Sequence, residues 1–185
     1  MELGVLCGGW CPAGRLAEDG TIPKHYPIVE MANAGYAERT AQNVADSDGT
    51  LIISNGELLG GTRETVDRCI EMRKPHFIID CASMSVEETI EAATEFVKSL
   101  SFRADARDLS VGQVVSEHSR DPSVRARLAL SARLGMTVLN VAGPRASQWP
   151  EGYKTARQIV SGILRRLVDR TTPLNTVRHS PRGDP

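Results

Sequence analysis

The chain has 185 residues, of which 41% are hydrophobic and 24% are charged, and its formal net charge is -1. This length is enough for one domain with its own hydrophobic core. The near-neutral charge excludes a strongly basic nucleic-acid-binding protein and an acidic disordered chain.

The sequence predicts neither a secretory signal nor a membrane span. Residues 1–7 lack a basic segment ahead of an apolar stretch, and no apolar run approaches the roughly 18 residues that a span requires. A chain of this size and apolar content does not depend on disulfides, so we expect a cytoplasmic protein with free thiols at Cys7, Cys11, Cys69 and Cys81.

Short β-branched runs alternate with amphipathic segments along the chain, which predicts an α/β fold with a parallel sheet. Three strands are predicted at Thr50–Ser54, His76–Asp80 and Thr137–Val141. Each run is apolar and is followed by residues typical of loops, as in strands that are buried on both faces. A weaker strand is predicted at Leu3–Cys7, where Gly4 interrupts the pattern.

Helices are predicted between these strands. Ser85–Glu88 forms a capping box at the start of one helix. Thr62 is a candidate N-cap of a short helix that Lys74-Pro75 ends. Three further helices are predicted: one over about Tyr36–Ala45, one that Asp121-Pro122 begins and Gly135 ends, and one over roughly Glu151–Asp169.

One domain is predicted over residues 1–170, with an irregular insertion at 102–120. Residues 171–185 contain three prolines and few apolar side chains, which predicts a disordered tail. Three well-signalled strands are fewer than the five or six of an average sheet. The sheet is therefore expected to lack a strand, whose natural place is before Met1, so that the true start of the gene lies upstream or the chain is a degraded homologue.

Three glycine-rich loops follow the strands, at Gly8–Lys24, Asn55–Thr62 and Ala142–Ser147. In open α/β sheets ligands bind beyond the carboxyl ends of the strands, where these loops lie. Glycine lets the backbone approach a phosphate closely, and helix N-termini supply N–H donors. The pattern predicts a shared site for an anionic ligand, with turns alone as the alternative. Candidate cations for this site are Arg15, Lys24 and Arg145.

Aromatic residues concentrate beside these loops. Flat rings there favour a heteroaromatic ligand, although they would serve equally well to pack the loops onto the core. The residues concerned are Trp10, Tyr26, Tyr36, Trp149 and Tyr153.

No metal site or catalytic triad is predicted. Cys7 and Cys11 lack the second ligand pair of a zinc site, and the four histidines have no partner at a catalytic spacing. The polar cluster of Arg39, Asn43 and Asp46–Asp48 is compatible with a metal or a ligand hydroxyl, but a helix terminus that leads into a turn is the favoured interpretation.

Four motifs together resemble the putative molybdenum carrier family, which is related to the lonely-guy and lysine-decarboxylase-like Rossmann proteins. They are Gly8-Gly9-Trp10-Cys11-Pro12-x-Gly14-Arg15-x-x-Glu18-Asp19-Gly20-x-Ile22-Pro23, Arg39-Thr40-x-x-Asn43-Val44-x-Asp46-Ser47-Asp48-Gly49-Thr50, Gly60-Gly61-Thr62 and Leu139-Asn140-Val141-Ala142-Gly143-Pro144-Arg145-x-Ser147. The resemblance implies a Rossmann-like, doubly wound parallel sheet in a homo-oligomeric subunit. The family's first strand and its glycine-rich loop are absent here, which is the second reason to expect an incomplete sheet.

The resemblance also implies a function. The protein would bind the molybdenum cofactor, a phosphorylated pterin, as cargo and protect it without turnover before a recipient molybdoenzyme takes it up. The phosphate side of the ligand would lie at Gly60, Gly61, Thr62, Gly143, Pro144, Arg145 and Ser147, with Gly8, Gly9, Trp10 and Lys24 lining the same mouth.

Two other functions stay open. One is a nucleoside-monophosphate phosphoribohydrolase of the lonely-guy type, although Glu64 follows Thr62 by two residues where that motif has three. The other is a regulatory protein that senses a nucleotide without turnover.

Overall fold

Short strands alternate with helices along the chain. A computed structural model describes residues 7–107 and 138–168. The elements, in chain order, are β1 (Trp10–Cys11), β2 (Leu16–Ala17), β3 (Gly20–Thr21), β4 (Val29–Glu30), α1 (Tyr36–Ala45), β5 (Gly49–Ser54), α2 (Gly60–Glu71), β6 (His76–Asp80), α3 (Val86–Arg107), β7 (Leu139–Ala142) and α4 (Gly152–Val168).

The central sheet has three parallel strands in the order β6-β5-β7. From β5 the chain passes through α2 to β6 on one side, whereas β7 pairs with the opposite edge of β5. The strand order therefore reverses between β5 and β7, and crevices that bind ligands form at such reversals, outside the carboxyl ends of the strands.

Helices cover both faces of β5, and all six residues of this strand are buried. Leu51 and Ile53 belong to the core cluster that also contains residues of α3 and α4. Thr50 points to the other face, because side chains alternate along a strand, and it contacts Cys69 of α2. This two-sided burial explains the continuous apolar run of the strand and confirms the doubly wound α/β prediction.

The predicted helices are confirmed, with corrections at two ends. The amide of Ser85 donates to Glu88, and the amide of Glu88 donates to the Ser85 hydroxyl, as a capping box requires. α3 continues to Arg107, so residues 102–107 are helical and the predicted irregular insertion does not begin at 102. Alanine and arginine favour helix even where no apolar stripe marks it.

The sequence predicted Thr62 as the N-cap of α2, and this prediction is wrong. The helix begins at Gly60, Leu59 is the capping position, and no side chain caps the helix. Thr62 therefore lies inside the first turn, where its amide donates to the carbonyl of Leu59 at 3.2 Å.

The N-terminal segment (residues 7–30) is more regular than the predicted loop. β1 pairs with β4 in parallel, and β2 pairs with β3 as an antiparallel ribbon. Strands of two residues are too short to show an alternating pattern, which is why the sequence did not predict them.

Four predictions lie wholly or mostly outside the described residues. They are the strand over Leu3–Cys7, of which only Cys7 is described, the rest of the insertion (108–120), the helix between 121 and 135, and the tail (171–185). The division into one domain and the homo-oligomeric state stay predictions. None of the helices within residues 7–107 and 138–168 has both the length and the apolar character that crossing a membrane requires.

Candidate functional site

A cavity of about 190 Å³ lies at the carboxyl ends of β5 and β7. The loop from β5 to α2 forms one wall and the loop from β7 to α4 forms the other. Sites that enclose a drug-sized ligand measure roughly 300–1,000 Å³, so this cavity is large enough for part of such a ligand. The residues that line it are Ser54, Asn55, Glu57, Leu59, Thr62, Pro144, Gln148 and Trp149.

The first turn of α2 presents backbone donors at this place. Gly60 begins the helix with a φ of 50°, a left-handed conformation that glycine adopts without strain. The amides of Gly60 and Gly61 have no hydrogen-bond partner within residues 7–107 and 138–168. A Cβ atom added at Gly61 would meet no atom within 4 Å, so there is open space beside this residue. Free amides at a helix N-terminus attract anions.

The hydroxyl of Thr62 is the strongest sign of a ligand at this turn. Thr62 lines the cavity and is only 4% exposed, yet its Oγ1 atom has no hydrogen-bond partner in the part of the chain that the structure describes. Buried hydroxyl groups nearly always have a partner, because an unpaired one costs about 1–3 kcal/mol. A polar group of a ligand in the cavity would satisfy it.

Gly143 brings the two walls together. A Cβ atom at this position would lie 2.8 Å from the backbone oxygen of Ile53 in β5, so no larger residue fits without a shift of the backbone. The next residues complete the wall: the amide of Arg145 donates to the side chain of Gln148 at 3.3 Å, and Gln148 faces Gly60 across the cavity. Gly60–Thr62 and Gly143–Gln148 therefore share one site.

Asp80, at the end of β6, fixes the β5–α2 loop. Its Oδ1 atom accepts hydrogen bonds from the amide of Gly56 at 2.7 Å and from the amide of Ala82 at 3.0 Å. These two bonds hold the pKa of Asp80 below its ordinary range, and the bond from Gly56 has the larger effect. The carboxylate serves the loop geometry and does not line the cavity.

Two arginines flank one aromatic ring beside the cavity. The guanidinium carbon of Arg145 lies 5.2 Å from the centre of the Tyr36 ring, and that of Arg39 lies 5.9 Å from it. Burial lowers the pKa of Arg39, and the positive charge of Arg145 lowers it further. Tyr36 and Glu64 act in the opposite direction. A carboxylate lies near each arginine, since the charge of Glu64 acts on Arg39 and the charge of Arg145 lowers the pKa of Glu18.

A larger hollow of about 370 Å³ lies on the N-terminal segment. It is lined by residues of that segment alone, none of them a cation: Asp19, Thr21, Ile22, Pro23 and Tyr26. The smaller cavity is the better candidate site, because it combines a free helix N-terminus, an unpaired buried hydroxyl and adjacent cations.

Comparison with known proteins identifies the family. A family model described as the circularly permutated YpsA SLOG family matches residues 1–112, which is more than half of the chain. The chain belongs to this family. A crystal structure of a putative molybdenum carrier protein from Syntrophus aciditrophicus SB is similar to the chain at 33% sequence identity and a TM-score of 0.64, over 85% of this chain and 78% of that one. No curated protein of assigned function matches the chain significantly.

In this member of the YpsA SLOG family, only some of the residues predicted from sequence lie at the cavity. Thr62 and Pro144 line it, Gly60 and Gly61 begin the helix beside it, and Gly143 closes the contact between its walls. Ser147 lies in the same loop but is bound to the N-terminal segment: its amide and its hydroxyl both donate to Glu18.

The N-terminal residues of the predicted site have structural partners instead. Trp10 is fixed on α1, because its amide donates to Asn43 and its ring nitrogen donates to Asp46. Gly9 lies against the same Asn43 side chain, Gly8 is exposed beside it, and Lys24 is exposed in a turn. None of these residues lines the cavity.

Arg15 also has structural partners in the N-terminal segment. Its guanidinium donates to four backbone carbonyls of its own segment. Its φ of 52° is a left-handed value that is uncommon outside glycine, and the four bonds hold it there. The side chain of Arg15 thus holds the N-terminal segment together, and its role in ligand binding stays a prediction. The carbonyls belong to Ile22, Pro23, Tyr26 and Ile28.

Sequence reasoning missed several residues of the site. It noticed Arg39 only as part of a polar cluster. It placed Asn55 and Glu57 in a candidate loop without choosing them as ligand residues, and it did not name Gln148. In that cluster the carboxylate of Asp48 accepts a hydrogen bond from the amide of Val138 at 2.7 Å, so this side chain has a structural role. Within residues 7–107 and 138–168 no group of three His, Cys, Asp or Glu side chains is placed to hold a metal ion.

Proposed function

We propose that this protein is a carrier that binds the molybdenum cofactor by its phosphate, protects it without turnover and releases it to a recipient molybdoenzyme. The observation that carries the proposal is the unpaired, buried hydroxyl of Thr62 beside the free amides of Gly60 and Gly61. Three donors without partners on three consecutive residues suit a phosphate group. The family of the chain and its similarity to a putative molybdenum carrier protein support the choice of cargo.

The size and lining of the cavity support a ligand that is only partly enclosed. About 190 Å³ takes a phosphate and part of a ring system. Trp149 offers an aromatic surface beside the amide-lined end, and such a surface suits a flat pterin. In this arrangement the helix N-terminus binds and orients the phosphate, while the walls exclude water from the part of the ligand between them.

The test of this proposal compares two substitutions at one open position. Gly61→Asp adds a carboxylate at the N-terminus of α2, where an acidic residue is favourable to the helix but repels a phosphate. Gly61→Ala adds a methyl group into open space and is the matched control. The full chain is purified from molybdenum-replete cells, and bound molybdenum and pterin fluorescence are measured per protein.

The wild type and Gly61→Ala are expected to contain cofactor, and Gly61→Asp is expected to contain at least tenfold less while keeping its thermal stability. An empty wild-type protein that also ignores added cofactor would overturn the proposal. Release of free base from a nucleoside monophosphate, abolished by Glu64→Gln, would replace it with the hydrolase function. In the structure Glu64 does not line the cavity, and its carboxylate lies 3.6 Å from Arg68.

A further inference from the structure

The side chain of Gln148 is held in one orientation on the β7–α4 wall of the cavity. Its Oε1 atom accepts a hydrogen bond from the amide of Arg145 at 3.3 Å, and the amide of Gln148 donates back to the carbonyl of Arg145 at 2.9 Å. Since only the oxygen of a side-chain amide accepts hydrogen bonds, this contact decides which end of the group is the nitrogen. The Nε2 atom is therefore the end that is left for the cavity.

The Nε2 atom of Gln148 reaches across to the opposite wall. It would lie 3.8 Å from a Cβ atom placed at Gly60, the first residue of α2. Among the residues that the structure describes, this nitrogen has no hydrogen-bond partner. A donor without a partner thus stands at the helix N-terminus, in the same cavity as the buried, unpaired hydroxyl of Thr62.

The lining of the cavity makes such donors important for an anion. None of the described residues that line it is a cation, and the charged one among them, Glu57, is an exposed carboxylate that would repel an anion. Arg39 and Arg145 lie instead against the Tyr36 ring, each with a carboxylate nearby. An anion in the cavity would therefore be held by uncharged donors, as in other clusters of N–H groups. The helix supplies such donors from one wall, and Gln148 supplies one from the other.

We propose that Gln148 is a specificity-determining residue of the phosphate site: its Nε2–H group donates to the same phosphate as the first turn of α2, from the opposite wall. A phosphate monoester has three terminal oxygens that point in different directions, so it can accept hydrogen bonds from both walls at once. A planar carboxylate has two oxygens in one plane and suits the helix side alone. This role rests on the proposed function, because it uses the same phosphate, and through it the site selects a tetrahedral group over a planar one.

Two substitutions separate a donor role of Gln148 from a structural one. Gln148→Glu keeps an oxygen for the amide of Arg145 and replaces the Nε2–H donor with a negatively charged oxygen of similar size. Gln148→Met keeps the length of the side chain and removes both groups. Gln158→Glu, at an exposed position on α4, adds the same charge elsewhere and is the matched control.

The full chain is titrated with inorganic phosphate at constant ionic strength, and nitrogen-15 signals are followed by NMR. In the wild type the amide signals of Gly60 and Gly61 and the side-chain NH2 signal of Gln148 are expected to shift together and saturate, while that of Gln158 stays in place. Phosphate should bind about tenfold more weakly to Gln148→Met, as the loss of one hydrogen bond to a charged group predicts, and more weakly still to Gln148→Glu. Gln158→Glu should bind it as the wild type does.

Acetate tests the selection of a tetrahedral group. It should bind the wild type more weakly than phosphate does, and Gln148→Met should leave its affinity unchanged. The preference for phosphate over acetate should therefore fall about tenfold in this variant. An equal loss of affinity for both anions would overturn selection by Gln148.

The outcomes separate this role from the proposed function. Saturable shifts at Gly60 and Gly61 with wild-type affinity in Gln148→Glu would overturn the role of Gln148 and leave the phosphate site at α2 in place. If Gln148→Met alone lost affinity, the contact with Arg145 would be the reason, and the donor role would again be overturned. If none of these signals shifted with saturation in the wild type, the phosphate site itself would be wrong, and the role of Gln148 with it.

Discussion

Glu18 and Ser147 connect the N-terminal segment with the β7–α4 loop at the candidate site. The carboxylate of Glu18, in the N-terminal segment, accepts hydrogen bonds from both the amide and the hydroxyl of Ser147, 129 positions later. The N-terminal segment is otherwise tied mainly to α1, through Trp10. Glu18 therefore fixes this segment against the loop that forms one wall of the cavity.

This contact should depend on pH. The hydroxyl of Ser147, more than any other group, holds the pKa of Glu18 below its ordinary range. A carboxyl with a lower pKa in the folded state stabilises that state above its unfolded pKa of about 4.3, and the contribution is lost as the pH falls through the lowered value. We expect Ser147→Ala to speed hydrogen exchange of residues 12–24 at pH 7, where the wild type is protected.

Lowering the pH through the lowered pKa of Glu18 should bring the wild type to the exchange level of Ser147→Ala, because Glu18 is then protonated in both. Glu91→Gln, an exposed change on α3, is the control and should leave residues 12–24 protected. Equal exchange of the wild type and Ser147→Ala at pH 7 would contradict a role of this contact in fixing the segment.

The two glycines of the site should respond oppositely to alanine. Gly143→Ala places a methyl group 2.8 Å from the backbone oxygen of Ile53, which cannot rotate away, so we expect a loss of about 1–3 kcal/mol in the free energy of unfolding. Gly61→Ala meets no atom within 4 Å and should raise stability by up to about 1 kcal/mol, since alanine favours helix. Urea denaturation followed by circular dichroism measures both changes. Similar midpoints for the two variants would mean that the walls of the cavity are not in close contact.

The cysteines should differ in reactivity. Cys69 and Cys11 are buried, and burial raises the pKa of the Cys69 thiol. Burial, and then the charge of Asp80, raises the pKa of Cys81. A thiol reagent at pH 8 should therefore modify the exposed Cys7 first and Cys81 slowly. Peptide mass spectrometry identifies the sites, and fast labelling of Cys69 in the native protein would contradict its buried place against β5.

The core of the fold was predictable because it follows local rules. β6 matches the predicted strand at both ends, since a run of apolar residues between turn residues is typical of a strand. The prediction that it is buried on both faces is wrong, because β6 lies at an edge of the sheet and Ile79 is the one buried residue among its five. The start of α3 was predictable because Ser85 and Glu88 satisfy each other's backbone amides within one turn. In both cases the information lies within a few residues of sequence.

The site was only partly predictable because its decisive contacts join distant residues. A glycine such as Gly143 marks a loop in the sequence, but its reason, the backbone of Ile53, is visible only in three dimensions. Arg15 is a residue type that commonly binds phosphate. Only the four carbonyls that its guanidinium contacts in the structure show that it holds the N-terminal segment together. The pairing of Tyr36 with Arg145 likewise has no local signal.

Thr62 and Thr65 provide the sharpest test of the site within the protein itself. Both side chains are buried in α2, but the hydroxyl of Thr65 donates to the carbonyl of Gly61 at 2.8 Å, whereas that of Thr62 has no partner within residues 7–107 and 138–168. Valine replaces a hydroxyl with a methyl group of nearly the same size. Thr65→Val should therefore lower the free energy of unfolding by about 0.5–1.5 kcal/mol, as the loss of one hydrogen bond predicts.

Thr62→Val should have the opposite effect on stability. Removing an unpaired buried hydroxyl is expected to raise the free energy of unfolding by about 1 kcal/mol, and the same change should weaken phosphate binding, which Thr65→Val should leave intact. A hydroxyl that only stabilises the fold would behave differently, because its removal would lower the free energy of unfolding and leave phosphate binding unchanged. If Thr62→Val destabilises the chain as much as Thr65→Val does, the hydroxyl has a partner within the folded protein and the main reason for placing a ligand in the cavity is lost.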